Sequence, residues 1–314
     1  MKVFVPGNLL LFGEYIVTES GGKGIGAAID THAIITAKRS DKTSVLCRYQ
    51  GNSHFWDGES PLNVELPLIA CVLKHIELLS PLPSLEISID TSHFSYPDGR
   101  KKGFGSSAAV VAGLTYLLLY FISSKAPDLL KDVFPLALKI HRDFQGGRGS
   151  GYDVAASLFG GLGLFTGGEL PCWEPININW SEHLFLLPGE EVSSTKAFLK
   201  QFHAFKTKNP EQAQAFFTET NGLTEQIAVC KNIEEASCIF TEACALNTKM
   251  HEAIGASVEG SYLNCKLKNY FQAGFSGKPL GAGSEIAVIL AKFPLPEPLE
   301  PLKISPQGLR ICHL

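Results

Sequence analysis

The stretch Lys101-Lys102-Gly103-Phe104-Gly105-Ser106-Ser107-Ala108-Ala109 runs without a break into VVAGLTYLLLYF, an apolar segment of helix length. The first amides of a helix have no intrahelical partner, and the helix dipole adds partial positive charge at that end. A serine N-cap in a tight turn accounts for one glycine and one serine, and leaves the second of each and both lysines over. Anion binding accounts for them all. Gly103 and Gly105 let the backbone approach a phosphate, Ser106 and Ser107 offer hydroxyls to phosphate oxygens or a magnesium ion, and Lys101 and Lys102 bring countercharge. The composition serves the purpose of a Walker loop, although G-x-x-x-x-G-K-[ST] occurs nowhere in the chain.

Further on, the cluster Gly146-Gly147-Arg148-Gly149-Ser150-Gly151-Tyr152-Asp153 opens a second predicted helix, Val154 to Phe159. Asp153 has two readings there. As a helix acid it gains about 0.3–1 kcal/mol from the dipole; as a functional carboxylate beside a phosphate site it orients a nucleophile, holds a cation or takes a proton. His32, His75, His141 and His251 have no H-x-x-x-H pairing, which argues against metal or catalytic roles. Arg142 and Asp143 read as a solvated face.

The remaining pattern alternates strands and helices. VFV, LLLF and Tyr15-Ile16-Val17 read as strands joined by glycine turns, followed by IGAAIDTHAIITAKR. Gly22-x-Gly24-x-x-Ala27 fits a dinucleotide fingerprint only superficially, because a strand pattern and not a helix follows it. Pro67 to Leu79 and Leu129 to Phe144 have helical spacing, and Leu85 to Asp90 alternates like a half-buried strand. Ser193-Ser194-Thr195 caps a further helix, and more helices follow to about Cys265. Gly274 to Leu290 is strand-like around the turn LGAGSEIAVIL, and PLPEPLEPL reads as an extended loop. Hairpin-like strands at the start, mixed with helices, predict an α+β protein.

The length of 314 residues suits two domains at roughly 100–200 residues each, and the lobe boundary is expected within Pro171 to Glu191. Apolar residues at 45% and charged residues at 18% give ample core material and no disorder signature. The net charge of −4 excludes a general nucleic-acid binder, so any countercharge for an anion must be local. The apolar run Ala108 to Ile122 is about fifteen residues, against about 20 for a membrane span. Eight scattered cysteines without a C-x-x-C pair read as reduced thiols. A soluble, cytoplasmic protein that engages neither membrane nor nucleic acid is expected.

Three segments, PGNLLLFGEY near the start, GFGSSAA near residue 105 and LGAGSEIAV near residue 283, resemble the motifs of the GHMP small-molecule kinases in order and spacing. Within that family the details are most similar to the members that act on phosphomevalonate. Gly13-Glu14-Tyr15 stands where mevalonate-specific members usually have G-E-H. Lys101 to Ser107 matches K-x-G-L-G-S-S with Phe104 for Leu. His141, Gln145-Gly146 and Gly149 to Ala156 match H-x-x-x-Q-G…G-S-G-x-D-V-A-A, and Ser193 to Lys196 resembles the group's S-S-T-K entry into its second domain.

The resemblance implies the GHMP kinase fold, with an N-terminal ribosomal S5 domain 2-like domain over 1–185 and a ferredoxin-like C-terminal domain over 186–314. It implies ATP and Mg²⁺ at Gly103, Gly105, Ser106, Ser107 and Ala108, with Ser106 on the metal. It implies phosphorylation of (R)-5-phosphomevalonate in the mevalonate pathway of isoprenoid biosynthesis, with a mevalonate kinase or another GHMP small-molecule kinase as the alternative, by a monomer or homodimer. Asp153 and Lys101 carry the catalytic roles in that picture, and Asn8, Glu14, Tyr15, Ser150, Gly151, Ser194, Thr195, Gly281, Ala282 and Gly283 contact the substrate.

Two departures stand out. Asn8 occupies the position where the family usually has lysine, so charge neutralisation falls to Lys101, Lys102 or Arg148. Ser284-Glu285 replaces the end of the usual G-A-G-G-G-D. A non-catalytic ligand-binding regulator of the same fold is the rival from another class; a chain that only bound ligand would not need Ser106, Ser107, Lys101 and Asp153 together.

Overall fold

The structure, a computed structural model, describes residues 1–147, 149–190, 195–256, 261–281 and 285–312. Two compact units make up the chain: residues 1–9, 27–161 and 304–314 form unit 1, and residues 10–26 and 162–303 form unit 2. Strands β1 (Lys2–Phe12) and β2 (Lys23–Arg39) each contribute residues to both.

In unit 1 the sheet runs in the order β12-β1-β2-β5-β3-β4, with β3 at Ser44–Tyr49, β4 at Asn52–Trp56, β5 at Leu85–Asp90 and β12 at Arg310–Cys312. β2 and β5 pair antiparallel from Ile34 opposite Asp90 to Arg39 opposite Leu85, while β3 and β5 run parallel. The alternation in LEISID is realised, since Leu85, Ile87 and Ile89 are buried. Helices α1 (Leu62–Glu65), α2 (Pro67–Glu77), α3 (Ser106–Ser123), α4 (Phe134–Phe144) and α5 (Tyr152–Phe159) complete the unit. The predicted helix from Leu129 begins as a π-helical turn, Leu129–Val133, capped by the Asp128 carboxylate, and becomes α-helical only at Phe134.

α3 is 18 residues long and apolar enough to cross a membrane by length and composition. Residues 108–118 are nevertheless buried without a break. Gly113 brings the helix onto the sheet, where a Cβ would lie 2.7 Å from both Val5 and Ile35 side chains. α3 is a core helix.

In unit 2, β6 (Leu162–Thr166) pairs antiparallel with β7 (Cys172–Ile176). A second, antiparallel sheet has the order β11-β8-β10-β9, with β8 at Leu184–Pro188, β9 at Ser276–Pro279, β10 at Ile286–Leu290 and β11 at Glu300–Pro301. The proline-rich tail thus contributes a short edge strand. Helices α6 (Thr195–Lys208), α7 (Pro210–Val229), α8 (Ile233–Ala253) and α9 (Tyr262–Gln272) account for the rest. Ile16–Thr18 is a 3₁₀ turn and not a strand, because Gly13 at φ 92° and Tyr15 at φ 68° turn the chain, and the Thr18 and Glu19 amides bond back to the Tyr15 and Ile16 carbonyls at 3.3 and 2.8 Å.

Candidate active site

The glycine-serine loop of unit 1 is fixed from below by the end of β1. The Asn8 amide donates to the Phe104 carbonyl at 2.9 Å, and its side-chain Nδ2 donates to the Gly105 carbonyl at 3.2 Å and to Ser157 Oγ on α5 at 3.1 Å. A Cβ on Gly7 would lie 2.6 Å from the Phe104 carbonyl, so Pro6-Gly7-Asn8 is shaped to lie against the loop. Gly103 and Gly105 both take positive φ, 76° and 65°. Gly105 is the N-cap of α3 and supplies no capping side chain, and among the described residues the amides of Ser106, Ser107 and Ala108 find no backbone or side-chain acceptor. These free donors at a helix N-terminus are what a phosphate group needs. Lys101 is exposed beside them, bridged through its backbone to Ser95, and Lys102 Nζ lies 5.6 Å from the centre of the Tyr96 ring.

Asp153 lies in the first turn of α5, behind Gly151 at φ 96°. Its Oδ1 accepts the Val154 amide at 2.9 Å, and its Oδ2 lies 3.3 Å from His141 Nδ1. Burial works to raise the Asp153 pKa, but the charge and hydrogen bond of His141, helped by the Val154 amide, hold the carboxyl below its usual range. His141 is 1% exposed. Burial alone would lower its pKa, yet the Asp153 carboxylate outweighs burial and raises it. The far side of the imidazole, Nε2, lies 3.2 Å from Ser107 Oγ and 3.4 Å from Gln145 Nε2.

Arg142, at the next position, donates to the carbonyls of Gly149 at 2.8 Å and Ser150 at 3.0 Å, so it clamps the second glycine cluster and is not part of a solvated face. Ser150 is buried, and its Oγ accepts from the Tyr152 amide at 3.4 Å. The structure therefore assembles Asn8, Gly103 to Ala108, Ser150, Gly151 and Asp153 in unit 1. A groove of about 890 Å³ in the same unit, lined by residues including Trp56, Lys74, His75 and Asp143, has none of the loop residues 103–108 in its wall.

Residues 67–161, which carry all of these elements except β1, match the GHMP kinases N terminal domain. Over nearly its whole length the backbone superposes on a Streptococcus pneumoniae phosphomevalonate kinase solved in complex with phosphomevalonate and AMPPNP. The TM-score is 0.71 at 19% identity, covering 94% of this chain and 93% of that one. The chain carries the GHMP kinase fold. A mevalonate kinase of Archaeoglobus fulgidus is 25% identical over 90% of this chain and 89% of its own length. A phosphomevalonate kinase of Saccharolobus solfataricus is 32% identical, over 52% of this chain and 48% of its own.

The loop suits a phosphate group: its amides are free and its glycines allow close approach. Among the described residues no three-membered cluster of His, Cys, Asp or Glu exists to cage a metal. Mg²⁺, which keeps waters and is held largely through substrate phosphates, would need no such cage.

Glu14 and Tyr15 belong to unit 2. Glu14 is 4% exposed and ion-pairs with the fully buried Lys278, whose Nζ also donates to the carbonyls of Leu11 at 2.9 Å and Pro279 at 3.1 Å. Asn247 Nδ2 donates to the other Glu14 oxygen at 3.3 Å. Tyr15 stacks on Phe202 at 5.1 Å and meets His251 edge-on at 5.8 Å. Its buried hydroxyl has no partner among the described residues, and burial together with the Glu14 charge pushes its pKa well up. Gly281 follows β9 at φ 58°. Ser194, Ala282 and Gly283, with Arg148 and the Thr195 side chain, lie outside the described residues.

Sequence reasoning missed His141, Arg142, Ser157 and Lys278. The first lies inside the H-x-x-x-Q-G pattern, whose match was visible; the others carry no local signal, since their partners lie at distant chain positions.

Proposed function

We propose that this chain transfers the γ-phosphoryl group of ATP to the 5-phosphate of (R)-5-phosphomevalonate, giving 5-diphosphomevalonate. The observation that carries the reading is the state of Asp153. Both of its oxygens are already engaged, by the Val154 amide and by His141, and its pKa is lowered. A carboxylate held this way is a poor proton acceptor for an alcohol. A phosphate acceptor has a second pKa of about 6 and needs no base at neutral pH. Asp153 then positions the acceptor or the metal, and the free amides of Ser106 to Ala108 with Lys101 offset the charge of two polyanions brought together. ATP supplies the phosphoryl group, and Mg²⁺ neutralises charge on it. Gly13-Glu14-Tyr15 in place of G-E-H supports the same choice.

The second reading is a mevalonate kinase, favoured by the likeness to the Archaeoglobus protein along 90% of the chain. Purified protein given Mg·ATP with mevalonate or with phosphomevalonate, and followed by ADP release, separates the two. We expect turnover with phosphomevalonate, with kcat rising as pH passes about 6. Turnover with mevalonate alone overturns the proposal.

A further inference from the structure

Ser107, His141 and Asp153 come from α3, α4 and α5, and one imidazole, 1% exposed, touches both of the others. An ionised carboxylate only accepts hydrogen bonds, so His141 Nδ1 carries the proton and donates to Asp153. Nε2 then accepts from the Ser107 hydroxyl when the ring is neutral, and donates to it when the ring is charged. The link persists in either state. With the ring neutral, the Ser107 hydrogen points at His141, and both oxygen lone pairs are turned away from it. Gln145, one helical turn after His141, flanks Nε2 at 3.4 Å and restricts other approaches to it.

A histidine that merely filled the core would need one partner of any kind on each nitrogen. Here, beside the Gln145 amide at Nε2, the partners are the hydroxyl at the mouth of one glycine motif and the carboxylate at the end of the other. We infer that His141 is a positioning residue, holding the Ser107 hydroxyl and the Asp153 carboxylate at a fixed separation so that the two glycine motifs act as one unit. The inference rests on the kinase reading above for its catalytic consequence, and on geometry alone for the link. Arg142 reinforces it from the same turn of α4 by holding the Gly149 and Ser150 carbonyls.

The test combines kinetics with histidine ¹⁵N spectra. His141→Leu is expected to lower kcat at least about 100-fold while KM for ATP moves less than about threefold. His141→Gln, whose amide N–H still reaches a carboxylate, recovers about tenfold of the loss. Urea midpoints of the two variants are expected to agree with each other, which separates positioning from folding. His141→Leu combined with Asp153→Ala is expected to be no slower than Asp153→Ala alone, because the two residues act together. In the spectra, the His141 Nδ1 proton is expected to be protected from exchange, and Asp153→Ala to abolish that protection. His141→Leu within about threefold of wild-type kcat, or a double variant whose losses multiply, overturns the inference. Should the wild-type protein turn over no acceptor offered, the kinase reading fails by itself and the spectra still decide the link: an Nδ1 proton indifferent to Asp153→Ala overturns it, and one that depends on Asp153 supports it.

Discussion

The Asn8 amide fills the space that a side chain on Gly105 would need: a Cβ there would lie 2.2 Å from Asn8 Oδ1 and 2.4 Å from its Nδ2. Gly105 also takes φ 65°, where an L side chain is strained. Gly105→Ala is therefore expected to displace the loop and weaken ATP binding at least about tenfold by calorimetry, an effect of about 1.4 kcal/mol or more. Asn8→Asp keeps the shape but removes both N–H donors from the Gly105 carbonyl and Ser157. It should cost about 1–3 kcal/mol in urea unfolding.

Lys101 is exposed and holds its place in the loop through its backbone, so its side chain is free to act without supporting the fold. Lys101→Met is expected to unfold at the wild-type urea midpoint and to lose about 100-fold or more in kcat/KM. Near-normal turnover and affinity for both substrates in that variant would remove Lys101 from the site.

Removing one member of the buried Glu14–Lys278 pair strands the other charge. Lys278→Met alone should lower stability by about 3–5 kcal/mol, whereas Lys278→Met with Glu14→Leu should recover part of the loss. The comparison is read from urea denaturation of the single and double variants. A single variant as stable as wild type would show that the pair contributes nothing.

His251 is 5% exposed, and burial, together with the Lys278 charge, brings its pKa down to about 4 from 6.5. As pH falls from 6.5 toward about 4 the unfolded chain takes up this proton and the folded chain does not. Stability therefore falls with pH across that window, by roughly 3 kcal/mol in all. His251→Phe should flatten this part of a Tm-against-pH curve, and an unchanged slope would exclude the effect.

The glycine motifs were readable because their geometry is local: free amides, positive-φ glycines and small hydroxyl side chains sit within a few positions of each other. Strand β5 and helix α2 were equally plain, since burial on one face imposes a period on the residues. The 3₁₀ turn at Ile16 was not, because Tyr15-Ile16-Val17 has the apolar run of a strand while the backbone at Gly13 and Tyr15 decides otherwise. His141 was hidden for a different reason. Its two partners are 34 positions before it and 12 after, so its meaning appears only when three helices meet.

Arg310–Cys312 pairs with Lys2–Phe4 at the margin of the unit 1 sheet. Without that pairing, β1 presents an unpaired edge of backbone donors and acceptors. β1 and β12, far apart in sequence, thus close this edge of the sheet together, so the edge is protected only once a long-range pairing has formed. β12 is only three residues long, which makes it a poor template for further pairing once in place.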